Sequence, residues 1–297
     1  MTRAHNNWRG VKEIAAAVSL CALVTAGCSS EKPQARRFEI TGEVISVDKP
    51  GHMVILKHRA IPGYMQAMTM GFEVKDDWVL GVVMPGDQLQ ATLVVEPNRS
   101  WLEGVVITEK PKRDSNAPAP SAVRTPAPGE AAPDFSLVNQ DGKRLNLRQY
   151  RGKILLLTFI YTRCPLPDYC PLMSRNFAAI AAKLSSDTAL SNSLRLLSIS
   201  IDPEYDQPAV LHRYALEYVG KDSAEALKRW QFASGTSEEV QKVAQFFGLS
   251  YWRDGGQIIH ALVTAVVDPG GKVYKVYRGN DWQPADVLED INNMKGA

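Results

Sequence analysis

The sequence predicts two folded modules of different class, a small all-β barrel followed by an α/β domain, behind an N-terminal export segment. Three observations predict this. Short strands over residues 38–110 follow one another at close spacing, with turn signals between them and no helical pattern. From residue 132 onward, apolar strands alternate with helical stretches, the order of a mainly parallel sheet. Between the two, residues 111–131 are rich in proline and alanine and lack apolar periodicity, which makes them a linker. At 297 residues the chain is long enough for two cores.

Residues 1–27 belong to neither module. Arg3, Arg9 and Lys12 form a basic start, residues 14–26 an apolar run, and Thr25-Ala-Gly-Cys28 a small-residue stop ending in cysteine. This pattern resembles a bacterial lipoprotein signal, in which cleavage leaves Cys28 as a lipidated N-terminus and residues 28–37 as a tether. The resemblance implies an extracytoplasmic protein, on the periplasmic side, anchored to a membrane through Cys28. An uncleaved signal anchor is the alternative, but the apolar run is short for a span. Three of the 34 basic and one of the 32 acidic residues lie in the signal, leaving 31 of each. That balance gives no electrostatic footprint for nucleic acid.

In the first module, strands are expected over 38–47, 53–58, 72–74, 87–95 and 101–107, closing a small OB-like barrel. Its informative line runs from His58 to Met70 and includes Met65, Met68 and Met70. Met68 and Met70 are two apart, so on a strand both thioethers project from one face. With His58 from the preceding strand they offer a soft S,S,N set suited to Cu(I). Methionines at this spacing also suit a plain core. A strand histidine followed by Met-x-Met resembles the CusF-like periplasmic copper-binding domain. Met65 stands where that family has a copper-capping tryptophan, and it offers a further thioether. His52 lies in a turn and reads as solvent-exposed.

The second module reads as strand (154–161), helix (172–184), strand (194–201), helix (208–219), strand (230–233) and helix (237–247). Strands over 262–268 and 272–277 then form a hairpin, and a helix over 284–293 follows. Cys164 and Cys170 sit in the turn after the first strand, with Pro171 in the first turn of the helix. A thiol at a helix N-terminus feels the positive end of the macrodipole, so its thiolate is favoured. Once Cys21 leaves with the signal and Cys28 is lipidated, these two are the remaining thiols. A disulfide across five residues stabilises little, so the pair points to redox or metal chemistry.

Ala132-Pro-Asp-Phe-Ser-Leu137, the terminal hairpin and the last helix resemble extracytoplasmic thioredoxin-like proteins. Within that group Phe159-Ile-Tyr-Thr-Arg-Cys-Pro165, Cys170-Pro171, Ser198-Ile-Ser-Ile-Asp-Pro203 and Ile259-His260 resemble the Sco/SenC copper-chaperone family, over about 132–297. The resemblance implies that His260 faces Cys164 and Cys170, where a thioredoxin carries its cis-proline. Two thiolates and an imidazole fit Cu(I), and hold Cu(II) with a weak extra donor. Five residues separate the cysteines, where the family usually has three. As a copper chaperone, the chain would deliver copper to the copper-site subunit of cytochrome c oxidase or to another extracytoplasmic cuproprotein. The methionine module would then load, store or relay Cu(I). As a thiol–disulfide oxidoreductase, Cys164 would attack a target disulfide and Cys170 resolve it through a Cys164–Cys170 disulfide. A peroxidase is disfavoured, since no proline precedes Cys164 as peroxiredoxins require. The histidine at 260 and the second copper-like motif favour the chaperone. Asp202, after its strand, is expected to cap the next turn, and His212 to sit solvated on its helix.

Overall fold

The computed structural model describes residues 35–111 and 124–296, apart from 98, 221, 222 and 255. The export segment with Cys28 lies outside the described residues, as does the stretch 112–123 of the expected linker. Among the described residues no helix is long and apolar enough to cross a membrane.

The first module is a closed barrel of five strands in the order β1-β2-β3-β5-β4. These are β1 (Arg36–Asp48), β2 (Met53–His58), β3 (Met68–Val74), β4 (Gln88–Val95) and β5 (Ser100–Glu109). The β3–β5 pairing is parallel and closes the barrel. Strand β3 starts at Met68, earlier than the expected 72–74, so both methionines of the Met-x-Met pair lie within it. A short helix, α1 (Asp77–Val82), was not expected. Its Val79 and Leu80 join the barrel core, but six residues are too few to leave a periodic signal. Strand β1 approaches β2 so closely that a Cβ at Gly42 would lie 2.7 Å from the Lys57 carbonyl oxygen and 2.8 Å from His58 Cα. Glycine there lets the two backbones meet beside His58.

The second module has a seven-stranded sheet in the order β14-β13-β8-β9-β10-β6-β7. Its strands are β6 (Ser136–Asn139), β7 (Arg144–Asn146), β8 (Ile154–Ile160), β9 (Leu194–Ser200), β10 (Trp230–Ser234), β13 (Val263–Val267) and β14 (Val273–Arg278). Strand β8 is buried along its whole length, as its unbroken apolar run requires. Only the β8–β9 and β9–β10 pairs are parallel, so the expected mainly parallel sheet holds at its centre and gives way to antiparallel edges. Helix α2 (Cys170–Ser186) buries Leu172, Met173, Phe177, Ile180 and Leu184. Helices α3 (Thr188–Ser193), α4 (Pro208–Val219), α5 (Ser223–Arg229), α6 (Ser237–Phe246) and α7 (Pro284–Gly296) complete the thioredoxin-like arrangement. Between α6 and β13 stands an unexpected hairpin, β11 (Tyr251–Asp254) with β12 (Gln257–His260), in which Tyr251 faces His260.

The described residues from 35 onward fall in one compact unit. A linker of this composition lets two modules meet without a fixed interface, but here they pack together. Met53, Ile55 and Thr69 alternate with the barrel-facing Val54, Leu56 and Met70, yet all six are buried, because the second module covers the outer face of β2 and β3. Thr69 Oγ1–H donates to Asp254 Oδ2 at 2.6 Å, and Ser100 Oγ–H to Asp168 Oδ2 at 3.2 Å. The Tyr169 hydroxyl donates to the Gly71 carbonyl. Arg278 and Asp48 form an ion pair at 2.6 Å with both side chains 6% exposed. Residues 124–131, expected within the linker, instead run along β14. There Gly129 N–H donates to the Val273 carbonyl at 2.7 Å and Val273 N–H to the Glu130 carbonyl at 2.8 Å.

Candidate metal centre

Strand β8 delivers the chain to Tyr161, and a turn anchored by a buried carboxylate follows. Asp206 accepts from Thr162 N–H at 3.0 Å, Thr162 Oγ1–H at 2.5 Å and Ser200 Oγ–H at 2.5 Å. Beside it, fully buried Asp202 takes Arg163 at 2.5 Å and Arg253 at 2.7 Å. Asp202 therefore does more than cap the next turn. It ties the residue before Cys164 to the β11–β12 hairpin, and nothing in the sequence spacing announces that link.

Cys164 is half-buried and Cys170 is completely buried, and both are free thiols. The hydrogen bond from the Cys170 thiol holds Cys164 down to about 7, against its own desolvation; backbone hydrogen bonds from Leu166 and Cys170 and the Tyr161 hydroxyl act in the same direction. Burial pushes Cys170 well up, and the neighbouring Cys164 sulfur adds to this. This order agrees with Cys164 as the attacking thiol, although the dipole at the helix start favours a thiolate at Cys170. Cys170 is the first residue of α2, but complete desolvation outweighs the helix dipole, and the loop cysteine carries the thiolate character.

His260 is buried at the end of β12. Its Nδ1–H donates to the Ala261 carbonyl at 2.7 Å, since a carbonyl only accepts. Burial holds the ring down to about 4, so it is neutral near pH 7 and presents the Nε2 lone pair. That nitrogen is 3.7 Å from Cys170 Sγ. Tyr161 and Tyr169 stand edge-on to the ring with centroids at 5.7 and 6.4 Å. Cys164, Cys170 and His260 are thus brought together as the sequence reading expects. Among the described residues no three histidine, cysteine, aspartate or glutamate side chains are already gathered as a coordination shell. Cys170 and His260 touch as hydrogen-bond partners and Cys164 lines the same cleft, a looser arrangement.

The barrel residues converge in the same way. His58 and Met68 are direct cross-strand partners, and Met70 opposes Leu56 on the same face. His58 is 2% exposed, Met70 is buried and Met68 half-buried. His58 Nδ1–H donates to the Arg59 carbonyl at 2.7 Å, and desolvation lowers the ring's proton affinity. Its Nε2 is buried with no hydrogen-bond partner. A buried nitrogen lone pair left unmatched beside a thioether is what a soft-metal site requires, and it is costly in a plain core. Met65 is half-buried on the loop closed by the Ile61–Met65 bridge. His52 is exposed and pairs with Asp77 at 3.1 Å, and His212 is half-buried on α4.

A narrow cleft joins the two regions. Thr69 and Met70 of β3 line one side, and Cys164, Leu166, Tyr169 and His260 line the other. Its free space is about 10 Å³, the room of one small particle.

The sequence reading missed the β11–β12 hairpin that places His260 and supplies Asp254 and Arg253. Asp254-Gly-Gly256 flanked by Tyr-Trp-Arg and Gln-Ile-Ile is a hairpin signal that could have found it.

Residues 37–105 match the model of the copper-binding periplasmic protein CusF. The SCO1 protein homolog of Bacillus subtilis is 31% identical over 179 residues, which are 59% of this chain and 86% of that protein. The mitochondrial SCO1 homolog of Homo sapiens is 30% identical over 53% of this chain, and this chain spans only about half of it, 50%. Among solved structures, copper-bound ScoI of Arabidopsis thaliana is 26% identical, covering 55% of this chain and 99% of that one, with a TM-score of 0.47. The SCO1/SenC family model matches residues 123–296, more than half of the sequence, and the chain belongs to the SCO1/SenC family.

Proposed function

We propose that this protein is an extracytoplasmic copper chaperone, anchored to the periplasmic side of a membrane through lipidated Cys28. In this reading Cys164, Cys170 and His260 hold the copper cargo for assembly of the cytochrome c oxidase copper site. His58, Met68 and Met70, with Met65 as a further thioether, hold a second ion as Cu(I). The observation that carries the reading is the pairing of a buried, neutral His260, its Nε2 3.7 Å from Cys170 Sγ, with a second thiol, Cys164, lining the same cleft. Two soft sulfurs and one imidazole nitrogen suit Cu(I), and the thiols become thiolates when they bind. The orphaned Nε2 of His58 supports the barrel site.

A second reading rests on the asymmetry of the thiols. Half-exposed Cys164, held down to about 7, suits a nucleophile, and buried Cys170, pushed up, suits a resolving thiol. Such a protein would act as a thiol–disulfide oxidoreductase on partner cysteines, with the Cys164–Cys170 disulfide as its oxidised form.

Anaerobic Cu(I) stoichiometry against a competing chelator separates the two. The expected result is two tightly bound ions, one lost in Cys164→Ser/Cys170→Ser or His260→Ala and the other in Met68→Ile/Met70→Ile. A protein that binds no tight copper through its cysteines but reduces protein disulfides would leave the oxidoreductase.

A further inference from the structure

We infer that the barrel is the copper partner of the Cys164–Cys170–His260 site within the same chain, and that Cu(I) passes between the two ligand sets across strand β3. This inference rests on the copper reading above.

Strand β3 has two working faces. Met68 and Met70 share the barrel side with His58, while Thr69 and Gly71 between and after them face the second module. Successive residues of one strand therefore belong to the thioether set and to the wall of the thiol cleft. The separation is on the order of the ~10 Å between packed sheets, or less.

The loop between the cysteines is what holds the barrel there. Asp168 accepts from Ser100 of β5, and Tyr169 donates to Gly71 of β3 while standing edge-on to His260. Tyr169 also immediately precedes Cys170. The fit at Gly71 is close: a Cβ there would lie 2.6 Å from Met53 Cε and 3.2 Å from the Tyr169 hydroxyl. With the barrel so placed, Cys170 is 0% and His260 3% exposed, and a cleft of about 10 Å³ admits an ion but no bulky chelate. A donor outside the chain is thus kept from Cys170 and His260, while Cys164 stays half-exposed. The barrel donor, tethered and docked, acts at an effective concentration of about millimolar or more. In the exchange, copper stays Cu(I) and no electron moves. His58, Met68 and Met70 bind and release it as neutral donors. Cys164 and Cys170 take it as thiolates, and their displaced protons go to solvent.

The test follows the filling of the thiol site in the full chain, anaerobically, from the Cu(I)–bicinchoninate complex, by the growth of thiolate-to-copper absorption. Met68→Ile/Met70→Ile should slow this filling by roughly tenfold or more, because the fast tethered route is lost. His58→Leu, which leaves β3 intact, should slow it similarly and serves if the double variant does not fold. Gly71→Leu, which wedges Tyr169 away, should restore fast filling in the Met68→Ile/Met70→Ile background by opening the cleft. Filling at the parent rate in Met68→Ile/Met70→Ile or His58→Leu overturns the relay, as does a Gly71→Leu chain that stays slow. A parent whose cysteines take up no copper even at equilibrium overturns the copper reading and the relay with it.

Discussion

His58 in the barrel and His260 in the thioredoxin-like module are built alike. Each is buried, each donates Nδ1–H to the carbonyl of the next residue at 2.7 Å, and in each desolvation keeps the ring neutral. The carbonyl fixes the tautomer and leaves Nε2 as the free donor, as outer partners of metal-binding histidines do. Their sulfur neighbours differ. Beside His58 stand thioethers, which carry no proton and no charge at any pH. Beside His260 stand thiols, one held down and one pushed up. What the difference teaches is that one chain presents the same imidazole to two kinds of sulfur, and only one kind responds to protons and oxidants.

The largest expected consequence is in the pH dependence of copper affinity. Cys170 keeps its proton well above neutrality, so its proton is displaced throughout; below about 7 Cys164 must lose one as well. Each unit of acidification below pH 7 should then weaken the thiol site by up to about a hundredfold, so about 10⁴-fold between pH 7 and 5. The barrel site competes only with protonation of His58, whose affinity for protons is already lowered, and should change far less. Chelator competition at pH 5, 6 and 7 on the Met68→Ile/Met70→Ile and Cys164→Ser/Cys170→Ser proteins measures the two separately. Parallel slopes would break the comparison.

The next effect is on the stability of the copper-free fold. Unfolded His260 binds a proton at its ordinary 6.5, whereas the buried ring does so only at about 4. Its folded affinity for protons is depressed, so the stabilisation is full above 6.5 and is lost as the pH falls from 6.5 toward 4. The loss amounts to about 3 kcal/mol for this one group. His58 acts in the same direction. Denaturant melts across this window should show the slope in the parent and a shallower one in His260→Gln. An equal slope in both would mean that the ring is not held neutral by its surroundings.

Much of this was legible in the residues. The apolar run into β8, the Cys-Pro start of α2 and the Met-x-Met pair opposite His58 each follow from periodicity, proline position and strand alternation, and these forces are local. The helix over 208–219 matches α4 in both bounds for the same reason: Pro208 opens it and Gly220, with φ of 74°, ends it. What was not legible arises between distant segments. Tyr169 reads as one more residue of a long cysteine loop until Gly71, 98 positions away, is seen to accept its hydroxyl. Asp48 reads as turn chemistry until Arg278 is found buried against it. The inverted order of thiol acidity is of the same kind. The helix dipole at Cys170 can be read from sequence, but the desolvation that overrides it comes from burial among distant segments, His260 among them.

That inversion gives the smallest and most specific prediction. Alkylation consumes thiolate, so the rate at Cys164 should rise with pH through a midpoint at about 7, while Cys170 stays unmodified in the folded protein. The Cys170 thiol is the chief cause of the low value, because its S–H donates to the Cys164 sulfur in the ionised form. Cys170→Ala removes that donor and leaves the burial that opposes ionisation. The midpoint should therefore move up toward the ordinary thiol value of about 8.5, or beyond it, and the rate at pH 7 should fall by roughly tenfold. Mass mapping of iodoacetamide adducts across pH reads both cysteines at once. Were Cys170 modified first, or were the Cys164 midpoint unmoved in Cys170→Ala, the helix dipole would govern the pair after all. The contrast with the thioether site would then rest on proton release alone.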